Sequence, residues 1–342
     1  MSVPDQQIPA RTDREGKPIA FKSTARALKA KRAVVPAGAT ADEAFRLTLQ
    51  HCKWHVVANV PAVIECHDVE GVHQLRVALR RLRVALASFG EEFRTPPLEA
   101  LRMRAKILAQ GLAPARDLDV FVDELLEPAA RANGAVEAFA LLRERAQAAR
   151  RDAWSDAVRE VSSLAFRTFV HDLGEAVDER IWYERSRGGS PGSGLIAFDA
   201  PAIGLAERML TRRLKAARKC ARKLNSLSEA ERHKLRIALK KLRYTAEFFA
   251  PLYPERAVEP FLRRLSRMQD VLGLLQDVAV AREILGQLVR EPEEASPGPR
   301  ADVSFAAGIV YGWHLDRAAS AWTDAVKRWK SFIKTEPFWL AA

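Results

Sequence analysis

The stretch His73-Gln74-Leu75-Arg76-Val77-Ala78-Leu79-Arg80-Arg81-Leu82-Arg83 returns 160 residues later as His233-Lys234-Leu235-Arg236-Ile237-Ala238-Leu239-Lys240-Lys241-Leu242-Arg243. The offset persists downstream, where Arg116-Asp117-Leu118-Asp119-Val120 meets Gln276-Asp277-Val278-Ala279-Val280. Motif order and spacing are both kept, so the chain carries an internal duplication about half its length. The repeated unit is an amphipathic helix. Leu75, Leu79, Leu82, Leu86 and Phe89 fall within about 80° of one another at 100° per residue. His73, Arg76, Arg80 and Arg83 occupy another narrow sector, roughly opposite.

A solvated helix face ordinarily mixes Glu with Lys, because opposite charges at i, i+4 stabilise a helix and like charges destabilise it by a few tenths of a kcal/mol per pair. This sector holds no acid in either copy. Its self-repulsion is tolerable if something anionic lies between the side chains. The preceding helix of the second half repeats the pattern, with Arg208, Arg212, Lys215, Lys219 and Arg222 at i, i+4, i+7, i+11, i+14. Its other face is Leu210, Leu214, Ala217, Ala221 and Leu224. The equivalent first-half helix is milder and offers His51, Lys53, His55 and Asn59, so the binding surface is expected to be more positive on the second half. Arg supplies a planar fork suited to phosphate oxygens, Lys a movable point charge, and His a hydrogen-bond donor near neutral pH. That mixture suits a phosphate chain better than a single carboxylate.

Composition points the same way. The 342 residues, 48% of them hydrophobic, are enough for a large core. Lys and Arg number 55 against 43 Asp and Glu, a formal net charge of +12. Between Ala206 and Arg243 alone there are 14 basic and 3 acidic residues. Such a balance implies a polyanionic partner. Three cysteines without framework spacing (Cys52, Cys66, Cys220) imply reduced thiols and a cytoplasmic location. Neither a signal peptide nor a run of about 18 apolar residues is present, so no membrane span is expected.

Residues 1–39 read as a basic flexible arm. A first helical repeat spans 40–183, a Gly/Ser-rich linker 184–199, and a second repeat 200–342. Within the first, Thr40 or Asp42 opens a helix towards Asn59, Pro61 ends or bends it, and Asp68 opens the next, running to about Phe93. Gly111 and Pro114 punctuate the third, Arg116-Asp117 starts a fourth, and a long stretch from Val136 towards Trp182 breaks near Ser162. The second repeat reads as helices over about 201–224, 228–249, 256–274, 276–290 and 301–334. No alternating β-branched run appears, so an all-α fold is expected.

These motifs, His-x-x-Arg-Val-x-x-Arg-Arg-Leu-Arg with a downstream Arg-Asp-x-Asp-Val and a second copy ending Lys-Lys-Leu-Arg-Tyr, resemble the CHAD family of histidine-containing α-helical domains over about residues 40–335. The resemblance implies duplicated helical bundles related by a pseudo-twofold axis, with a basic central cleft or pore that binds inorganic polyphosphate. It also implies association with polyphosphate granules and their proteins. By position, His73, Arg76, Arg80, Arg81 and Arg83 match the first motif, and His233, Arg236, Lys240, Lys241 and Arg243 the second. Lys53, Lys106, Arg116, Arg263 and Arg267 join the candidates on neighbouring helices, beside the Arg208–Arg222 stripe. Gln276 departs from Arg116 of the first copy, which leaves the binding role of that position in the second half open. Some relatives carry a triphosphate-hydrolysing tunnel domain; this chain has no Glu-x-Glu-x-Lys strand motif for one.

Other chemistries fare worse. His51, Cys52, His55, Cys66 and His67 offer soft and imidazole ligands, but their spacing fits no standard zinc module. A His73–His233 metal pair would be opposed by the surrounding arginines, so no metal and no cofactor is expected. The sequence holds no P-loop, no nucleophile elbow and no acidic cluster for magnesium, and a non-catalytic binding role follows. Asp117, Asp119 and Asp277 read as residues at helix N-termini. Trp313, Trp322, Trp329, Phe332 and Trp339 read as core rather than base-stacking side chains. The alternatives are a nucleic-acid-binding helical protein and a metal- or phosphate-linked accessory protein. Nucleic acid would call for interleaved aromatics or Asn and Gln base readers, which the stripes lack.

Overall fold

The computed structural model describes residues 25–31, 34–93, 95–134, 138–183, 198–290 and 297–340, and among these the regular elements are all helical. Thr40 opens α1 (Ala41–Ala58) with a capping box, its hydroxyl accepting from Glu43 N at 3.2 Å while Glu43 Oε2 accepts from Thr40 N at 3.0 Å. Pro61 sits in the first turn of the short α2 (Val60–Ile64), where its missing N–H costs nothing. Asp68 Oδ1 accepts from Glu70 N at 2.9 Å beside the start of α3 (Val69–Phe93). Thr95 caps α4 (Pro96–Gly111), and α5 (Ala113–Val120) passes through a π-helical turn, Phe121–Leu126, into α6 (Glu127–Ala132). Ser163 divides α7 (Ala138–Ser162) from α8 (Leu164–Asp178), its hydroxyl accepting from Phe166 N.

The second half opens with α9 (Ala202–Cys220). Ser228 and Glu231 form another capping box at the head of α10 (Glu229–Phe249), which begins 160 residues after α3. Then come α11 (Glu255–Val289) and α12 (Pro297–Ile333). Two expectations fail here. The helices expected at 256–274 and 276–290 are one continuous α11, because Leu274 stands where the first half has Pro114, and the lone Gly273 before it does not end a helix. Likewise α5 begins at Ala113, so Arg116-Asp117 lies a turn inside it rather than at its start. Residues 184–197 of the expected linker, and 1–24 of the arm, lie outside the described residues.

The apolar stripes do what their spacing requires. Leu75, Leu79, Leu82, Leu86 and Phe89 of α3 are buried, as are Leu210, Leu214 and Ala217 of α9 and Leu235, Leu239 and Leu242 of α10. Each buried Leu or Phe side chain contributes about 1.5–3 kcal/mol. One core cluster joins these helices of both halves around Phe45, Phe89, Trp182 and Phe249. A second joins Phe121, Leu126, Phe139 and Leu142 to Leu285, Val303 and Val310, so the end of α11 and the start of α12 pack on the first half. The halves are therefore interlocked by shared cores as well as by chain connection. Ala41 N and Asp42 N donate to the carbonyls of Ala200 and Phe198 at 2.8 and 3.1 Å, and Trp182 Nε1 donates to the buried Asp42 at 2.7 Å. Trp322, Trp329, Phe332 and Trp339 are buried as expected, while Trp313 is half-buried under Arg317, whose guanidinium lies 4.6 Å from the ring centre.

Candidate functional site

With their leucines turned into the core, α3 and α10 pack against each other and bring their basic sectors together. Three cavities surround the crossing. The largest, about 810 Å³, lies among α3, α10, α11 and the segment before α1; one of about 370 Å³ is bounded by α3, α5, α10 and α11; one of about 300 Å³ by α3, α4, α9 and α10. Arg80, Arg236 and Lys240 line all three. The smallest of the three is walled by seven Lys and Arg side chains and no carboxylate. Like charge in a partly dry site is costly, and the side chains register it. Burial first, then the charges of Arg80 and Arg236, pushes the Lys240 ammonium down to about 6. Burial likewise brings Arg76 down to about 10, with Asp117 holding it up, and lowers Arg236. Burial and then Arg116 push the His73 imidazolium down to about 4, so His73 is neutral in the ligand-free cleft at pH 7. The Nε atoms of Arg83 and Arg236 are buried without a hydrogen-bond partner, donors facing no acceptor of the protein.

The acid-free expectation holds for the motif sectors 73–83 of α3 and 233–243 of α10 but not for the cleft as a whole: Glu247, one turn further along α10, and Asp270 of α11 line the largest cavity, and α5 and α11 lend further carboxylates. Asp117 and Asp277 line the 370 Å³ cavity beside Arg76, Arg116 and Arg236, each with its pKa raised by burial and pulled back by those guanidinium groups. Neither sits at a helix N-terminus as expected: Asp277 is in the middle of α11, and Asp117 is a turn inside α5. Asp119, also expected near a helix N-terminus, is fully buried and accepts from Arg150 Nε at 2.8 Å and Trp154 Nε1 at 3.0 Å, a tie to α7. Gln276 answers the departure from Arg116: its amide oxygen pairs with His233 Nδ1, and both line the cavity that also holds Arg116.

The sequence candidates divide by place. His73, Arg76, Arg80, Arg83, Arg116, His233, Arg236, Lys240, Lys241 and Arg263 line these cavities. Arg81 and Arg243 reach the largest one but are already engaged. Arg81 is buried, its guanidinium 5.5 and 5.3 Å from the Tyr244 and Phe248 ring centres and paired with Glu247. Arg243 Nε donates to the same carboxylate at 2.7 Å, and its Nη1 to Gln269 at 3.1 Å. Glu247 thus ties α3 to α10. Replacing Arg81 by Ala is expected to cost about 3 kcal/mol of stability, since it breaks a largely buried pair; an unchanged urea midpoint would show the pair to be dispensable.

Lys53 lies against Gly174 of α8, and neither it nor Lys106 or Arg267 lines a described cavity. Arg208, Arg212, Lys215 and Lys219 are exposed along α9, Arg222 is exposed in the turn after it, and the α9 residue in the cleft is Arg213, which also donates to Ser88 Oγ at 2.9 Å. Arg102, Lys29 and Lys31 are further cleft residues that the sequence reasoning passed over. The cysteine–histidine group does not converge: His55 faces Leu28 O, and Cys52 is buried, which raises its thiol to about 11. Among the described residues, the side chains with metal-like spacing are His171, Asp172 and Glu175 on α8, where Arg104 already pairs with Asp172.

The architecture has solved counterparts. The chain is similar to the crystal structure of the CHAD domain from the plant Ricinus communis, at 27% identity and a TM-score of 0.72, covering 87% of this chain and 96% of that one. Its fold is also that of PptA from Streptomyces chartreusis, at 19% identity and a TM-score of 0.59 over 84% of this chain and all of the other. A comparison with curated proteins gave no match. The CHAD domain family matches residues 47–286, which hold both basic motifs and the downstream Asp117 and Asp277. The duplicated basic helices and their surrounding bundle therefore place this chain in the CHAD domain family.

Proposed function

We propose that this protein binds inorganic polyphosphate without turning it over, in the cleft where α3 and α10 cross. The observation that carries this reading is the convergence of three cavities on the half-buried Arg80, Arg236 and Lys240, with Arg236 and Lys240 depressed in pKa and Arg236 Nε without an acceptor. A folded protein tolerates such repulsion where a ligand relieves it. The ligand must be polyanionic, narrow and rich in acceptors, because the cations come from several sides and include guanidinium forks suited to phosphate oxygens. A single phosphate would leave most of them unpaired. A chain passing the three cavities, which share Arg80, Arg236 and Lys240, would meet the sectors of both repeats, so the duplicated halves act on one ligand.

The cleft side chains contain few base readers and no exposed aromatic platform, which favours condensed phosphate over nucleic acid. Asp117 and Asp277 face guanidinium groups, an arrangement that orients the arginines rather than holding a divalent ion for phosphoryl transfer. Granule association follows as the consequence of that binding. Among the described residues no helix is long and apolar enough to cross a membrane.

Competition at fixed salt tests the reading: long-chain polyphosphate should displace DNA and RNA at matched phosphate concentration, and phosphate release with magnesium or manganese should stay at background. Log affinity should fall steeply with log salt, because each cation–phosphate contact releases a counterion. Tighter binding of nucleic acid, or a salt slope near zero, would overturn it.

A further inference from the structure

Residues 25–31 lie outside the part of the chain matched to the family, yet side chains of the bundle fix their backbone in place. Asn59 and His55 are both fully buried near the end of α1 and converge on Leu28. Asn59 Oδ1 accepts from Leu28 N at 2.9 Å, and its Nδ2 donates to Leu28 O at 3.0 Å. His55 Nε2 lies 3.0 Å from the same carbonyl oxygen, which makes it the protonated ring nitrogen. Asp68 Oδ2 accepts from Ala27 N at 3.2 Å, and the Lys31 ammonium sits 5.6 Å from the Trp54 ring centre. A carboxamide that pairs with both backbone groups of one residue sets the register of the segment. An undocked segment would leave His55 and Asn59 short of partners in the interior, and buried unsatisfied polar groups are rare because they are costly. Docking is therefore part of the fold.

This register puts Lys29 and Lys31 on the wall of the 810 Å³ cavity, which they share with His73, Arg80, Arg236 and Lys240. Both lysines are exposed, and apart from the Lys31 contact with Trp54 their side chains do not hold the segment, whose backbone is fixed through Ala27, Leu28 and a bond of His51 to the Lys31 backbone. We infer that residues 25–31 are a basic strap completing the polyphosphate cleft, with Lys29 and Lys31 contacting phosphates that the duplicated helices do not reach. The inference rests on the polyphosphate reading. It extends the site beyond the repeats to a third, unduplicated element clasped by His55, Asn59 and Asp68.

The test compares two double charge reversals that change net charge equally: Lys29→Glu with Lys31→Glu in the strap, and Lys327→Glu with Lys330→Glu on the exposed face of α12. Titration with long-chain polyphosphate should show the strap variant weakened about tenfold or more, as expected for losing two charge-assisted contacts and adding repulsion. The α12 variant should stay within about twofold. Amide exchange gives a second readout: Lys29–Lys31 should slow further when polyphosphate is added, and Asn59→Ala should release Leu28 N–H in the free protein. Equal losses in both reversals, or unchanged exchange over 29–31 on binding, would overturn the strap. If the parent binds, Arg236→Gln with Lys240→Met abolishes binding and the strap variant matches the α12 variant, the strap alone falls. If the parent does not bind polyphosphate, the functional reading falls and takes the strap with it.

Discussion

Replacing Arg80, Arg236 and Lys240 together, as Arg80→Gln, Arg236→Gln and Lys240→Met, is expected to weaken long-chain polyphosphate binding by at least about a hundredfold while leaving the helical content unchanged. Each side chain lines all three cavities, so a chain following any route through the cleft meets them. A charge-assisted hydrogen bond contributes about 1.5–3 kcal/mol, and even the low end summed over three contacts exceeds two decades of affinity. Gln and Met retain the aliphatic stems, so packing changes little. The ligand-free variant should also melt at a higher temperature than the parent. Lys240 is held far below its ordinary pKa of 10.5, first by burial and then by Arg80 and Arg236, so folding at neutral pH must strip a proton that the unfolded chain would keep, which costs stability. The parent's own stability should rise with pH between about 6 and 10.5, where the unfolded chain still binds the proton that folded Lys240 has released. Isothermal titration and a thermal scan on the same samples check both halves. Affinity within threefold of the parent would place the ligand elsewhere.

The fold was legible because two periodicities coincide: a 3.6-residue apolar repeat defines each helix, and a 160-residue repeat pairs the helices across the chain. Leu75 and Leu235 could be assigned to a core from spacing alone, and both are fully buried. The site was legible on α3 and α10 for the same reason, since each has one narrow polar sector. It was less legible on α9, whose polar face is wide. A stripe at i, i+4, i+7 picks the middle of such a face, which points to solvent; the cleft lies at its edge. Arg213 is at that edge, flanked by buried Leu210 at i−3 and Ala217 at i+4. Arg102 is similarly placed between buried Leu98 and Ala105 on α4. A basic residue bracketed by core positions is the signal that would have found both.

Two further differences have other causes. Analogy with the first copy puts a helix start at Asp277, but duplication preserves register and not the breakers between elements: Leu274 stands where the first copy has Pro114, and Gly273 alone does not stop the helix. The basic segment at 25–31 has no periodicity at all. Its trace in the sequence is His55 and Asn59, four apart on the face of α1 that also buries Cys52 and Val56, two polar groups that need partners. Nothing in the local pattern says those partners come from upstream.

Polyphosphate affinity is expected to fall as pH rises from about 6 to 9, at up to about tenfold per pH unit for each proton taken up on binding. In the free cleft Lys240 has a pKa near 6 and is largely neutral at pH 7.5. A bound phosphate chain brings negative charge beside it and returns its pKa towards the ordinary value, so the complex holds a proton that the free protein lacks. The remaining groups act with the same sign. His73, held down to about 4 by burial and Arg116, gains a proton in the complex at the acid end. Asp117 and Asp277, already raised by burial, are pushed higher still by a neighbouring polyanion. Each proton bound removes a negative charge or adds a positive one in the cleft, which strengthens anion binding. Titrations at one pH in buffers of different ionisation enthalpy should therefore report net proton uptake near neutrality. The decisive variant is Lys240→Arg: guanidinium keeps its charge where ammonium loses it, so the variant should retain affinity at pH 8.5 and lose most of the slope. A parent profile flat from pH 6 to 9, or a slope that survives in Lys240→Arg, would show that Lys240 does not gain its proton from the ligand.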